Sequence, residues 1–216
     1  MPTWVDKDFE EKMHPHINDI YYRLFSNLNE IKRSERENPG RQRDVILTHR
    51  AGCQRDGSRH GGNDENILFM DKNLAIDAIL TFGDGSIVTL QEKSRRNYYY
   101  DLYGEIFTFE YYNDPRTKDE GEWFKLAAQL YFYGFVNAEE DGYYKFWLID
   151  VSKLRLHLKK EVGINRLEQK YLRYNKPPAK ASFFAIPFDI IAADCIMYDS
   201  EKAEGVRLTD KIKIGA

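Results

Sequence analysis

Asn73-Leu-Ala-Ile-Asp77-Ala-Ile-Leu-Thr-Phe82 is an apolar run with one carboxylate embedded in it, and Gly83-Asp-Gly-Ser86 follows directly. Ser86 opens a second run, Ser86-Ile-Val-Thr-Leu-Gln91-Glu92-Lys93-Ser94. The glycine-rich break is hairpin turn chemistry, so the flanking runs read as paired strands. Side chains alternate along a strand, which places Gln91 and Lys93 on one face and Glu92 on the other. A charge inside an apolar strand is costly when unpaired, so Asp77 requires a lysine partner or a metal ion.

Glu105-Ile-Phe-Thr-Phe-Glu-Tyr-Tyr112 reads as a third strand, with Phe107, Phe109 and Tyr111 on one face. Its Glu110 lies on the opposite face as an outward charge. Glu120-Gly-Glu-Trp-Phe-Lys-Leu-Ala-Ala-Gln129-Leu-Tyr-Phe-Tyr133-Gly134 reads as a helix. Residues four apart share a helical face, so Gln129 and Tyr133 would point to the same place. Tyr143-Tyr-Lys-Phe-Trp-Leu-Ile149 is a further strand. The outline is α/β, a mixed sheet flanked by helices.

Outside these elements, Ile17, Ile20, Tyr21, Leu24, Leu28 and Ile31 follow the three-and-four spacing of an amphipathic helix over about 16–33. Glu30 lies off that stripe as a surface residue. Asn38-Pro39-Gly40 marks a turn, and Val45-Ile-Leu-Thr48 a short strand. Residues 50–66 are polar and glycine-rich, a loop whose Arg50, Arg55, Arg59 and His60 are placed to close over a phosphate backbone. A basic helix is expected at Val151–Glu161, followed by a loop through Pro177-Pro178 and an apolar segment, Phe183–Met197.

The strand aspartate, hairpin, and x-x-K strand resemble the PD-(D/E)XK nuclease superfamily. Asp77 matches its aspartate and Lys93 its lysine, while Gln91 stands where Asp or Glu is usual, a Gln-x-Lys variant known in the superfamily. Gln129-x-x-x-Tyr133 is similar to the Q-x-x-x-Y element of its RecB-like and phage-exonuclease branches. The resemblance covers roughly residues 70–150 and implies a restriction-endonuclease-like core. It also implies Mg2+ or Mn2+ held by Asp77, Gln91 and the main-chain carbonyl of Glu92. Lys93 would stabilise developing charge or help activate water, with Gln129 and Tyr133 orienting it or holding a phosphate. Arg95 and Arg96, at the strand end, suit a phosphate or serve as edge charges.

The chain has 216 residues with a net charge of −3. That length suits one domain: a core at about 45–150, the N-terminal helix, and a basic extension at 151–216. Twenty-eight Phe and Tyr residues supply a core, and the mean hydropathy of −0.64 reflects surface charge. No run reaches the roughly 20 apolar residues of a membrane span, and the first residues lack a secretion pattern, so a cytoplasmic location is expected and a membrane partner is not. Cys53 and Cys195 suggest neither a disulfide nor a zinc site.

Net charge hides a local excess. Between Lys153 and Lys180 there are nine Lys or Arg residues against Glu161 and Glu168. Within this run Tyr171 and Tyr174 are interleaved with Lys170, Arg173 and Lys176, a pattern suited to stacking bases and contacting phosphates. The expected partner is therefore nucleic acid, DNA ahead of RNA, with phage, defence or repair roles in view and a homodimer compatible with cutting both strands. Three readings compete with an active nuclease: a binding or assembly module whose site has decayed at Gln91, a sequence-specific restriction enzyme, and a metal-free Asp77–Lys93 pair.

Overall fold

The computed structural model describes residues 4–33, 70, 73–176 and 180–202. Arg59, the other loop cations and the strand expected at Val45–Thr48 lie outside them. The elements are α1 (Trp4–Leu24), β1 (Leu28–Arg33), β2 (Ala78–Phe82), β3 (Ile87–Arg95), α2 (Asn97–Tyr103), β4 (Ile106–Asp114) and β5 (Asp119–Glu120). There follow α3 (Glu122–Lys125), β6 (Leu130–Val136), β7 (Tyr143–Asp150) and α4 (Val151–His157). A π-helical stretch, Leu158–Gly163, joins α4 to α5 (Ile164–Tyr171), and β8 (Leu172–Tyr174), β9 (Ser182–Pro187) and β10 (Ile196–Asp199) complete the order. The result is an α/β fold with a mixed six-stranded sheet, β1-β2-β3-β6-β7-β10, and a second sheet, β5-β4-β9-β8. No described helix is long and apolar enough to cross a membrane.

The β2–β3 hairpin forms as its turn chemistry requires. Gly85 adopts φ +82°, a left-handed conformation open to glycine. The Asp84 carboxylate accepts the Ser86 N–H at 2.9 Å, a local bond that holds the turn. Ala78 pairs with Leu90 and Ile79 with Thr89, and the Asp77 N–H donates to the Leu90 carbonyl at 2.8 Å. β3 then runs parallel to β6, with Gln91 beside Tyr131 and Lys93 beside Tyr133.

Two apolar layers clasp the large sheet. On one side Ile17, Ile20, Tyr21 and Leu24 of α1 cover Ala78, Leu80, Val88, Leu90, Phe132 and Leu148. On the other, Tyr131, Tyr133, Phe135 and Trp147 meet Phe107, Phe109, Phe184 and Phe188 from the second-sheet side. Burying one such ring contributes about 1.5–3 kcal/mol, so these aromatics dominate the core.

Three expectations are corrected here. First, the N-terminal helix ends at Leu24, and Leu28 and Ile31 belong to β1. A bulge between Leu28 and Glu30 adds one residue to the strand, which lets two positions three apart share a face, and both pack on the α1 layer. Their helix-like spacing is the signature of that bulge. Second, the helix expected across Glu120–Gly134 is a single turn, Glu122–Lys125, and Leu130–Val136 is a strand with all seven residues buried. A strand covered on both faces reads as a continuous apolar run and mimics a buried helix. Third, the stretch expected as an extension after residue 150 supplies β8, β9 and β10. β9 pairs with β4 and β10 with β7, so it is built into both sheets.

Beneath α1 lies a polar cluster. Glu92 accepts from Arg33 twice, Nη2 at 2.7 Å and Nε at 2.9 Å, and from the Tyr21 hydroxyl at 2.9 Å. Arg33 also donates to Asn18. Burial alone would raise the Glu92 carboxyl, but Arg33 more than offsets it and the net shift is downward. His14 is lowered to about 4, first by burial and then by Arg33, with Glu92 opposing.

Arg33→Met is expected to cost about 3–5 kcal/mol in urea unfolding, because it strands a buried carboxylate, while Arg33→Met/Glu92→Leu recovers most of that loss. Between pH 6.5 and about 4 the unfolded chain protonates His14 and the folded one does not, so stability falls as pH drops. The loss is on the order of 3 kcal/mol, and His14→Gln should remove it from the pH profile.

Candidate functional site

β2, β3 and β6 bring Asp77, Gln91 and Lys93 onto one face of the large sheet, the face that also carries Tyr131 and Tyr133. The register dictates this: Gln91 follows Leu90 and so lies opposite Asp77, next to the Ala78–Leu90 pair. Lys93 is two residues further along, beyond the end of β2. Glu92 turns its side chain to the α1 side, as strand alternation requires, and its N–H donates to Asp77 Oδ2 at 2.9 Å. In an extended strand a residue's N–H and C=O leave on the same edge, so the Glu92 carbonyl faces the edge where Asp77 lies. Asp77, Gln91 and Lys93 are all partly buried.

Gln91 Oε1 is buried and accepts no hydrogen bond from any described residue. Such an atom is uncommon, since leaving a buried acceptor unmatched costs about 1–3 kcal/mol.

Lys93 finds its counter-charge in Glu122, with Nζ 3.4 Å from Oε2. Among the described residues Glu122, rather than Asp77, is the carboxylate within ion-pair reach of Lys93. Burial alone would lower the Lys93 ammonium. Glu122, supported by Glu110 and opposed by Arg95, more than offsets this, and the net shift is upward. Glu122 is itself held by three donors: Lys93, the Tyr131 hydroxyl at 2.5 Å and the Glu110 N–H at 3.3 Å. Tyr131 is raised well above the ordinary phenol range by burial and by Glu122, so it remains a donor. Glu110 is otherwise the exposed outward charge its strand position implies.

Glu122 is delivered by a tight local structure. Gly121 lies against β4, where an added Cβ would stand 2.9 Å from the Tyr111 carbonyl oxygen, so a larger residue would push α3 away. Trp123 is buried and stacks on Phe109 at 5.0 Å, pinning the single turn. Between them Glu122 is held where it meets Lys93 and Tyr131.

The remaining expected residues are placed differently. Gln129 is exposed in the segment before β6; its Oε1 accepts the Thr89 N–H at 3.0 Å, and its own N–H bonds Thr89. Tyr133 is fully buried and donates to the Ile106 carbonyl at 2.8 Å. Lying four positions apart along extended chain, roughly 13 Å, they do not converge as residues of one helical face would. Arg95 lies in the Gln91–Lys93 row and its guanidinium covers the Tyr99 ring at 4.1 Å. Arg96 is bound to Glu140 at 2.9 Å and covers Phe9.

Lys170 and Arg173 are exposed on α5 and β8, and Arg173 Nη1 donates to the carbonyls of Lys170 and Leu172. Part of the basic run is committed internally, with Lys153 donating to the Asp194 carbonyl and Arg155 to that of Leu126. Arg155 and Lys159 also border a groove of about 420 Å³ with Tyr111, Trp123, Phe124 and Ile164. That groove lies next to α3.

Glu122 and Tyr131 are the site residues that sequence reasoning missed. The signal for Tyr131 was present: with Leu130–Val136 read as a strand, Tyr131 and Tyr133 share a face by alternation. Glu122 had a weaker one, an acid between Gly121 and Trp123. No family model, curated protein or solved structure matches this chain.

Glu122→Gln removes the largest charge that holds the Lys93 proton, leaving burial and Arg95, which lower it, opposed by the weaker influence of Glu110. The Lys93 titration, followed by NMR of labelled lysine Cε, is expected to move downward from the wild-type value; an unmoved titration would show that Glu122 is not the controlling charge.

Proposed function

We propose that the chain is a metal-dependent nuclease of the PD-(D/E)XK type acting on DNA. The observation that carries the reading is the unmatched, buried Gln91 Oε1 on the same sheet face as Asp77 and Lys93. Support comes also from the sheet, in which an antiparallel β1-β2-β3 meander is followed by β6 parallel to β3. That arrangement suits a restriction-endonuclease-like core.

Asp77, the Gln91 amide oxygen and the Glu92 carbonyl would hold Mg2+ or Mn2+, since all three are the hard oxygen donors these ions prefer. When bound, the cation would neutralise phosphate oxygens and make water a better nucleophile. Lys93 keeps its proton near neutrality because of Glu122, so it acts on the phosphate as a cation and not as a general base. Glu122, through Lys93 and Tyr131, fixes where that cation stands. Glu92 anchors the strand by its side chain while its carbonyl remains on the Asp77 edge.

A second reading, a module that binds nucleic acid without cutting it, is favoured by one observation. Among the described residues no three His, Cys, Asp or Glu side chains gather as a metal-holding group. Gln91 contributes an oxygen but no charge, so the donor set is weaker than a two-carboxylate site.

Supercoiled plasmid and a labelled single strand incubated with Mg2+, Mn2+ or EDTA separate the two. Cleavage is expected with either metal, abolished by EDTA, and reduced at least a hundredfold in Asp77→Ala and Lys93→Ala, on the order of 3 kcal/mol of barrier. Intact substrate with retained mobility shift would establish the binding module instead. Gln91→Glu adds a charge to the donor set and is expected to tighten Mn2+ binding, followed by electron paramagnetic resonance, by roughly tenfold.

A further inference from the structure

Asn97-Tyr-Tyr-Tyr-Asp-Leu-Tyr103 forms α2, a helix with no buried residue. Tyr98, Leu102 and Tyr103 are 47%, 67% and 65% exposed. The helix is held from beneath by Tyr100, whose ring meets Phe135 at 5.2 Å and Tyr144 at 5.1 Å, both edge-on. The other rings pack on one another. Tyr98 lies 4.2 Å from Tyr99 with planes 32° apart, and Tyr99 and Tyr103 are 6.5 Å apart at 28°. Arg95 covers Tyr99 from the strand side at 4.1 Å.

An exposed apolar patch of this kind marks an interaction surface. Its composition selects the partner. The surface is tyrosine with a single aliphatic residue, Leu102, and neighbouring ring planes differ by 28–32°, with a guanidinium already over one of them. From Lys93 to Tyr103 the chain carries Lys93, Arg95 and Arg96 against Asp101 alone, and Asp101 accepts from Asn97 at 2.9 Å. Arg95 follows Lys93 by two residues on the same strand face and covers Tyr99, so the tyrosines border the row that holds Gln91 and Lys93. Stacked rings beside backbone-binding cations are how single-stranded nucleic acid is held without regard to sequence.

We infer that α2 and Arg95 form a stacking platform for unpaired bases, which makes the substrate a single strand, or a duplex end opened into one, entering over Tyr98 and Tyr103. The inference rests on the nuclease reading for the chemistry at Lys93. Its test does not, because binding is measured without metal.

Fluorescence anisotropy in EDTA, with labelled oligothymidylate and the same strand annealed to its complement, reads the platform directly. Tyr98→Ala/Tyr103→Ala is expected to weaken single-strand binding roughly tenfold or more per ring, to leave duplex binding within twofold, and to be matched by Tyr98→Leu/Tyr103→Leu, whereas Tyr→Trp at both positions restores binding. Both residues are exposed and neither belongs to the buried core, so these variants keep the fold, as circular dichroism will report. Equal loss for strand and duplex, or retention in the leucine variant, overturns the inference. So does a wild-type dimer by sedimentation that becomes monomeric in the alanine variant with strand binding unchanged, because a second copy then covers the patch. Strand binding by the wild type that is lost in the alanine variant, together with failure of every cleavage assay, would sink the nuclease reading and leave the platform standing, whereas a wild type that does not bind the strand overturns the platform.

Discussion

The bidentate pair between Glu92 and Arg33 is the constraint on which the rest depends. A strand slipped by one residue turns every side chain to the opposite face, and an apolar strand alone resists that slip only through its pattern of burial. Here the middle residue of Gln91-Glu92-Lys93 is tied beneath α1 by two guanidinium bonds and a tyrosine hydroxyl. With Glu92 committed to that side, Gln91 and Lys93 must face the other. The pair also joins β3 to the end of β1 and to α1, so the layer that covers the back of the sheet and the row that faces the second sheet are set by one contact. A buried ion pair is a poor source of net stability compared with apolar residues of the same size. Its value here is specification of register.

The second sheet enters through the connection between β3 and β6. Parallel neighbours need a long crossover, and that need is usually met by one helix. In this chain the crossover holds α2, β4, β5 and α3, so it brings in a sheet that covers the site face and, on α3, the acid that meets Lys93. Glu122 belongs to the crossover and Lys93 to the core strand. Phe107 against Tyr131 and Tyr133, at 5.0 Å each, holds β4 of the crossover against β6 of the large sheet. Much of the electrostatics of the site is therefore determined by packing rather than by sequence neighbourhood.

That explains which parts were legible in the sequence. The hairpin, the common face of Asp77, Gln91 and Lys93, the reverse side of Glu92 and the strands around Phe107 and Trp147 all follow from alternation and turn residues, which are local. β6 was misread because Leu130–Val136 is apolar on both faces, where period two leaves no trace. The helix ending at Leu24 was overextended because a bulge imitates helical spacing. Glu122 could not be paired with Lys93 from sequence because their meeting depends on Gly121 fitting against β4, 10 to 11 residues away along the chain in a strand whose own position is set by β9.

The late strands impose an order on synthesis. β9 supplies the neighbour of β4, and β10 the outer neighbour of β7, yet both come after every residue of the candidate site. A chain emerging from the ribosome can form the β2–β3 hairpin early, but β4 and β7 then wait with unsatisfied backbone edges until Asp199 has been made. Long-range pairing of this kind folds slowly and leaves strands open to wrong partners meanwhile. The aromatic richness that makes the finished core dense also leaves more apolar surface uncovered during that interval.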